Sequence, residues 1–361
     1  MPAGGNSPKF LLPDLPPQAR VLLIRLRSLG DLLLTTPALR ALKQWRPDLR
    51  VSLVLYKEFA PILHGNPDVE ELIELERGQW TAVLALVRRI RRRRFHVCFN
   101  LHGNTFSAWL TRASGAPHRL AAGRFRHRWA YTAMPPASKV IFGREQLHSV
   151  EDRLAVFYWA GLPPGEIPRL QLFPQSEARQ TMRERLSAAG IGPGVRYAVL
   201  QASAKFFTKE WPFERYAGIA NYLEREHKLI PIFDCMPGEG AKLDAVADAA
   251  GKPLVRFDPL TIPELVALIE GATIFVGNDS GPAHIAAALG RPCVVLFGPT
   301  DSTVWRPWGA PYAVVQNEYA CSPCRCDRCY AFEQPECILS ISVGQVRSAI
   351  ERVLSAVPTA V

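Results

Sequence analysis

No stretch of this 361-residue chain approaches the run of about 18 apolar residues that a membrane-spanning helix requires. The first twenty residues, rich in Pro and Gly, have no apolar core ahead of a small-residue cleavage site. They do not read as a signal peptide, and a cytosolic location is expected. No G-x-G-x-x-G and no Walker sequence occurs, so a dinucleotide or P-loop fingerprint has no support. Repeats and low-complexity tracts are absent apart from the Pro-rich first 17 residues. The most informative gap is one of charge: from Arg77 to Arg144 there is no Asp or Glu, against 14 Lys and Arg.

What remains is ordinary globular material. With 48% apolar and 21% charged residues, the composition excludes disorder and collagen-like repeats, and the length suits about two domains. The net charge of +10 is unevenly placed, at +12 in residues 1–175 and −2 in the rest. Such a field favours an anionic partner such as phosphate, nucleic acid or an acidic lipid surface. Arg88, Arg89 and Arg91 to Arg94 also suit the solvated C-terminal end of one helix, where cations meet the negative end of the dipole. Eight cysteines in a cytosolic chain should be thiols or ligands rather than disulfides. Cys98, Cys235 and Cys293 stand singly in apolar stretches and read as core, while the other five crowd between Cys321 and Cys337.

Short apolar runs alternate with amphipathic segments nearly throughout, the signature of parallel sheets covered by helices. Val21 to Leu26, Val51 to Tyr56 and His96 to Leu101 read as strands of a first sheet. Leu34, Ala38, Ala41, Leu42 and Trp45 fall at helical spacing and would face it, and Trp80 to Arg94 is a further amphipathic helix. Gly and Pro break the pattern after Trp159 and again at Gly190 to Gly194. A second series runs from strand Tyr197 to Gln201 through helix Phe213 to Glu226 and on to strand Cys293 to Phe297. The expected fold is α/β, with doubly wound domains at 20–165 and 195–361, a linker at 166–194 and a flexible tail at 1–19.

In open parallel sheets ligands bind beyond the carboxyl ends of strands, where the next helix begins. Arg25 to Asp31 occupies that position after the first strand, with Gly30 permitting a tight turn. Asp31 would point a carboxylate into a cleft, or would simply cap the helix. Val276 to His284 likewise leaves a strand and enters a helix with Pro at its start. Backbone N–H groups there, with the Ser280 hydroxyl, would seat a phosphate. A lone His284 would equally be a satisfied core residue. Cys321, Cys324, Cys329 and Cys337 have C-x2-C-x4-C-x7-C spacing, compatible with tetrahedral thiolate binding of zinc or iron and equally with reduced thiols folding a loop. Cys326 is a fifth candidate.

Leu23-Ile24-Arg25, the run Gly30-Asp31-Leu32-Leu33-Leu34-Thr35-Thr36-Pro37-Ala38-Leu39 and the run Gly277-Asn278-Asp279-Ser280-Gly281-Pro282-Ala283-His284 resemble the lipopolysaccharide heptosyltransferases of glycosyltransferase family 9. Phe207-Thr208-Lys209-Glu210-Trp211-Pro212, Phe297-Gly298-Pro299-Thr300 and Trp305-Arg306-Pro307-Trp308 extend the resemblance from about Val21 to Val346. Ala204 to Phe207 and the Trp-Arg-Pro-Trp turn are most similar to the branch that adds a side-branch heptose to the inner core.

The resemblance implies two Rossmann-like domains facing a central cleft, a GT-B arrangement. The N-terminal domain would hold a phosphorylated lipopolysaccharide core acceptor and the C-terminal one ADP-heptose. The basic first half fits that assignment, because the acceptor is heavily phosphorylated and sits on the anionic face of the inner membrane. Arg124, Arg126 and Arg128 are therefore expected to engage the acceptor, with no nucleic acid as partner. The family inverts the anomeric centre in one displacement, and Asp31 matches its catalytic base. No two aspartates lie one residue apart, so the Asp-x-Asp metal site of other glycosyltransferases is absent and no cofactor is expected for catalysis. The departing diphosphate would be stabilised by Lys209, by the amides around Ser280 and Gly281, and by Arg25. Glu239 matches the acid that holds the ribose hydroxyls, Leu260 falls near the adenine, and Asp279 and His284 match donor-site positions. Ala204 and Lys205 replace the hydroxyl residues found upstream of the lysine elsewhere. A related branch that modifies proteins carries an iron-binding cysteine finger, which makes a structural zinc or iron in the loop 321–337 an expectation. The alternatives are glycosyl transfer to a protein hydroxyl, or a non-catalytic basic module binding glycolipid or nucleic acid.

Overall fold

The computed structural model describes residues 11–78, 80–122 and 124–356. Residues up to Gln171 form one compact unit and those from Leu172 a second. The first runs β1 (Arg20–Ile24), α1 (Leu29–Leu33), α2 (Thr36–Trp45), β2 (Arg50–Tyr56), β3 (Glu71–Leu75), α3 (Trp80–Arg93), β4 (Val97–Asn100), α4 (Thr105–Ala113), β5 (His118–Ala121), α5 (Ser138–Phe142) and α6 (Ser149–Trp159). Its five strands are all parallel, in the order β3-β2-β1-β4-β5. Strand order therefore reverses between β1 and β4, and this is where a parallel sheet opens a crevice at its carboxyl edge. Strands covered on both faces need apolar side chains on both sides; Val21, Leu22, Leu23 and Ile24 of β1 are accordingly all fully buried.

Two expectations change in this unit. The helix expected after β1 is two helices, because the chain turns at Leu34 and Thr35 and Pro37 then starts α2. The tail expected to be flexible lies outside the described residues as far as residue 10. From residue 11 it is tied down: Leu12 is fully buried and its N–H donates to the Ala160 carbonyl at 2.9 Å. Arg46 donates to the carbonyls of Leu12, Leu15 and Pro16.

The second unit begins with α7 (Ser176–Ala188), inside the stretch expected to be a linker. Arg179 forms a two-pronged pair with Glu270 at 2.5 and 2.6 Å, and Arg185 meets Glu264 at 3.0 Å, so α7 is bound to the helix that carries both acids. The unit continues through β6 (Tyr197–Gln201), α8 (Phe213–His227), β7 (Ile230–Asp234), α9 (Lys242–Ala250), β8 (Val255–Arg256), α10 (Ile262–Glu270), β9 (Ile274–Asn278), α11 (Gly281–Ala288) and β10 (Cys293–Phe297). It closes with α12 (Ser302–Trp305), β11 (Tyr312–Gln316), α13 (Glu336–Leu339) and α14 (Val343–Ser355). Six parallel strands lie in the order β11-β10-β9-β6-β7-β8, and the reversal falls between β6 and β9.

Trp211 ties that reversal to the core. Its ring is fully buried, 5.0 Å from that of Tyr216; its indole N–H donates to the Ile341 carbonyl at 2.9 Å, and its backbone N–H to Asn278 Oδ1 at 3.1 Å. Gly277 lets β9 approach β6 closely, since a Cβ there would lie 2.9 Å from the Gln201 carbonyl oxygen. Trp211→Ala should therefore cost about 3–5 kcal/mol, as large core truncations do. Urea unfolding of the variant against the parent measures that loss.

Candidate active site

At the reversal of the first sheet, the chain leaves β1 through Arg25 to Ser28 and enters α1, whose third residue is Asp31. Its Oδ2 accepts from the Ser28 backbone N–H at 3.3 Å and the Ser28 hydroxyl at 3.1 Å, which is the capping role. Its Oδ1 does something more, taking ion pairs from Arg25 and, at 2.5 Å, from Arg153 on α6. Burial alone would raise the Asp31 carboxyl; the two guanidiniums outweigh it and hold the group at about 2. Arg25 is drawn down to about 10 by burial first and then by the like charge of Arg153, and it also donates to the Leu101 carbonyl. Arg25, expected among the diphosphate ligands, is thus engaged with Asp31 in the first unit.

The opposite lip of this crevice is the turn after β4. Buried Asn100 organises it, accepting from the N–H groups of His102 at 2.9 Å and Gly103 at 3.1 Å. Its amide donates to Ser107, Thr111 and Tyr131. His102 is pushed down to about 4, by burial first and then by Arg25, so it is neutral at pH 7. Its Nδ1 is buried with no hydrogen-bond partner among the described residues. Arg124 pairs with Asp152 at 2.7 Å, whereas Arg126 and Arg128 are exposed.

At the reversal of the second sheet, Lys209 meets Asp279 at 2.6 Å, and the Thr300 hydroxyl donates to the same Oδ2 at 2.5 Å. Ser280 caps α11 with its hydroxyl buried and unpartnered, Gly281 opens the helix, and His284 is buried one turn on. Asn278 pins the strand end by donating to the Ala202 carbonyl at 2.6 Å. Nearby, Lys242 bridges Glu239 at 2.8 Å and Glu210 at 2.9 Å, leaving Glu239 Oε2 buried without a partner. Leu260 is half-buried in the turn before α10. The arrangement brings the Lys209 ammonium, the N-terminus of α11 and the Ser280 hydroxyl together, which suits a phosphate. Arg153, Thr300, Lys242 and His102 were not anticipated from sequence. Arg153 is 122 positions from Asp31, and no local signal joins them.

The cysteines gather less than their spacing suggests. Cys321, Cys324, Cys329 and Cys337 line one cavity of about 50 Å³, with Thr208, Pro299 and Pro335. All five thiols of the loop are free, and among the described residues no group of three or more His, Cys, Asp or Glu is placed to hold a metal ion. The expected zinc or iron site is therefore not assembled. The loop is held by a backbone bond from the Cys324 N–H to the Pro299 carbonyl at 2.9 Å and by a side-chain bond from the Thr208 hydroxyl to the Cys326 carbonyl.

Two doubly wound α/β units, each with polar residues gathered at its strand reversal, define a class of α/β proteins that receive ligands at the carboxyl ends of their strands. Residues 83–332 match Glycosyltransferase family 9 (heptosyltransferase). Lipopolysaccharide heptosyltransferase 3 of Escherichia coli K12 is 31% identical over 298 residues, 78% of this chain and 83% of that protein. Among solved structures, the glycosyl transferase family 9 protein of Veillonella parvula DSM 2008 has a TM-score of 0.81 at 21% identity, covering 94% of this chain and 98% of the other. E. coli ADP-heptose lps heptosyltransferase II has a TM-score of 0.75 at 20% identity, covering 93% and 99%. This chain belongs to glycosyltransferase family 9, the heptosyltransferases, and is a glycosyltransferase. No helix among its described residues is long and apolar enough to cross a membrane.

A buried carboxyl at the end of β7 is driven the opposite way from Asp31. Burial, followed by the neighbouring charge of Asp258, pushes Asp234 up to about 7 against the opposing bond from Gln201. A raised carboxyl stabilises the fold in its protonated form; that stability is complete below the unfolded value near 4 and is lost as pH rises through 7. Asp234→Asn should remove this loss, gaining on the parent by a few kcal/mol between about pH 5 and 8. Unfolding free energies measured across that range check the sign.

Proposed function

We propose that the chain transfers a heptose from ADP-heptose to a hydroxyl of the phosphorylated inner core of lipopolysaccharide, with inversion, working at the anionic cytoplasmic face of the inner membrane. The observation that carries this reading is Asp31, a carboxylate kept ionised at a strand reversal by two guanidiniums. An inverting displacement needs such a group, because the attacking hydroxyl must lose its proton as its oxygen bonds to C1 of the heptose. The proton goes to Asp31 while the bond from C1 to the diphosphate oxygen breaks. Arg25 and Arg153 orient the base, and the acceptor's phosphates meet the arginines around it, Arg124, Arg126 and Arg128 among them.

ADP departs with negative charge developing on its β-phosphate. Lys209, the amides at Ser280 and Gly281, and the Ser280 hydroxyl would balance that charge. Asp279, itself held by the Thr300 hydroxyl, keeps Lys209 in place, and His284 is buried one turn into α11. Glu239, with one buried oxygen unpartnered, would receive the ribose hydroxyls, and Leu260 would pack on adenine. The reaction requires the two units to face one another in a GT-B arrangement, which we take as the productive form. No cofactor enters these steps. The cysteine loop is assigned a structural role beside Lys209, and treating the protein with a chelator should leave its Tm unchanged; a fall of several degrees would return a metal to the loop.

Asn is nearly the size of Asp and caps a helix almost as well, but it cannot accept the proton. Asp31→Asn should fold, bind ADP as the parent does, and lose about 10²–10⁴ in turnover with a truncated core acceptor. Turnover near the parent's would reduce Asp31 to its capping role. In the same preparations ADP should bind more tightly than UDP, and Lys209→Ala should weaken ADP alone.

A further inference from the structure

We propose that one face of the first unit, made of the outer stripe of α4 and the loop 124–129, is the surface that docks on an anionic phospholipid bilayer. This deepens the membrane reading above by naming the surface and its partner. Thr105, Trp109 and Arg112 recur at i, i+4 and i+7 and are all exposed, so they form one stripe along α4. The Trp109 ring is 40% exposed and backed by Phe106 at 6.2 Å. The loop continues the stripe: the Thr105 hydroxyl lies 3.0 Å from His127 Nε2, and the His127 ring meets Trp129 edge-on at 6.2 Å. Trp129 is 56% exposed.

Two solvent-facing tryptophans on one basic face are costly in water and favoured at a membrane interface, where the ring is half apolar and its N–H stays wet. The charge matches. Arg112, Arg126 and Arg128 make no ion pair among the described residues, and the segment around them has no acid to neutralise them. The location matches too, because Arg124 in the same loop is close enough for its charge to act on both Arg25 and Arg153. An acceptor with its acyl chains in a bilayer docked here would present its sugars beside Asp31. The other basic surface of the unit, on α3, is a poorer fit. Its Arg89 and Arg93 are spent on Glu71 at 2.6 and 2.8 Å, and among the described side chains of α3 the exposed large apolar group is Leu84.

The test is flotation of the full-length protein with vesicles of phosphatidylcholine alone or mixed with phosphatidylglycerol, with no acceptor or nucleotide present. The parent should bind the anionic vesicles only, and added salt should weaken the binding. Arg112→Gln, Arg126→Gln and Arg128→Gln together should weaken it on the order of a hundredfold, and Trp109→Ala with Trp129→Ala about tenfold. Arg88→Gln with Arg92→Gln on α3 should leave it near the parent's. Tryptophan emission should shift to the blue on binding, and that shift should vanish in the double Trp variant. Binding lost in the α3 variant and kept in the other two would overturn the proposal. So would absence of vesicle binding alongside Trp129-dependent capture of a short single-stranded RNA, which would make the face a nucleic-acid platform. Neither result touches the Asp31 assignment, which is read by transfer to a soluble acceptor.

Discussion

The reversal of strand order in each parallel sheet is the constraint on which the functional geometry rests. A parallel sheet buries its strands on both faces, leaving no room for polar side chains except at the ends. Where neighbouring crossovers run in opposite directions, the carboxyl ends open and backbone N–H groups face outward. Asp31 and His102 stand on the two sides of that opening in the first sheet, following β1 and β4. Lys209 follows β6 and Asp279 follows β9 in the second. The same physics that makes the interiors apolar thus collects the chemistry at two places.

Within this frame, a half-buried carboxylate and a buried one are driven in opposite directions. Asp31 and Asp234 both pay desolvation, yet one falls to about 2 and the other rises to about 7. The difference lies in their neighbours: two guanidiniums beside Asp31, a neutral Gln201 and a second acid beside Asp234. Ionic groups buried together seldom add net stability, since desolvation consumes most of the Coulomb gain and an apolar core of equal volume often does as well. Placing Arg25, Asp31 and Arg153 together is therefore poorly explained as a fold-stabilising device. It is well explained as a means of fixing one carboxylate in one ionisation state and one orientation.

Legibility in the sequence followed locality. Asp31, Ser280 and Gly281 are set by strand-turn-helix grammar over fewer than ten residues, and β6, α10 and β10 coincide with the apolar runs that mark them. The edge strands β3, β5, β8 and β11 are short or half-exposed, and their patterns do not rise above those of loops. Arg153 was invisible because its partner lies on the far side of the sheet in sequence, and helix α6 carries no mark of that role. The helix α7 is likewise set by distant partners. Gly and Pro flank α7 and look like punctuation, but Arg179 and Arg185 commit the helix to the second unit through acids about 80 to 90 positions away. The cysteine spacing fits a tetrathiolate on paper, while in the structure the loop is held by bonds from the Cys324 N–H to the Pro299 carbonyl and from the Thr208 hydroxyl to the Cys326 carbonyl.

The charge asymmetry visible at the start now has a structural distribution. Some of the first unit's excess arginines are consumed internally: Arg25 and Arg153 on Asp31, Arg89 and Arg93 on Glu71, Arg124 on Asp152. Among those that make no ion pair with a described residue, Arg112, Arg126 and Arg128 are exposed on the face that also carries the exposed Trp109 and Trp129. A net positive field that served only solubility would need no such segregation, because interspersed charges of both signs serve it as well. An acid-free stretch of this length instead keeps a potential that neighbouring carboxylates would cancel within a Debye length. Arg124, in the same loop as Arg126 and Arg128, sets its charge against Arg25 and Arg153, the two guanidiniums that keep Asp31 ionised.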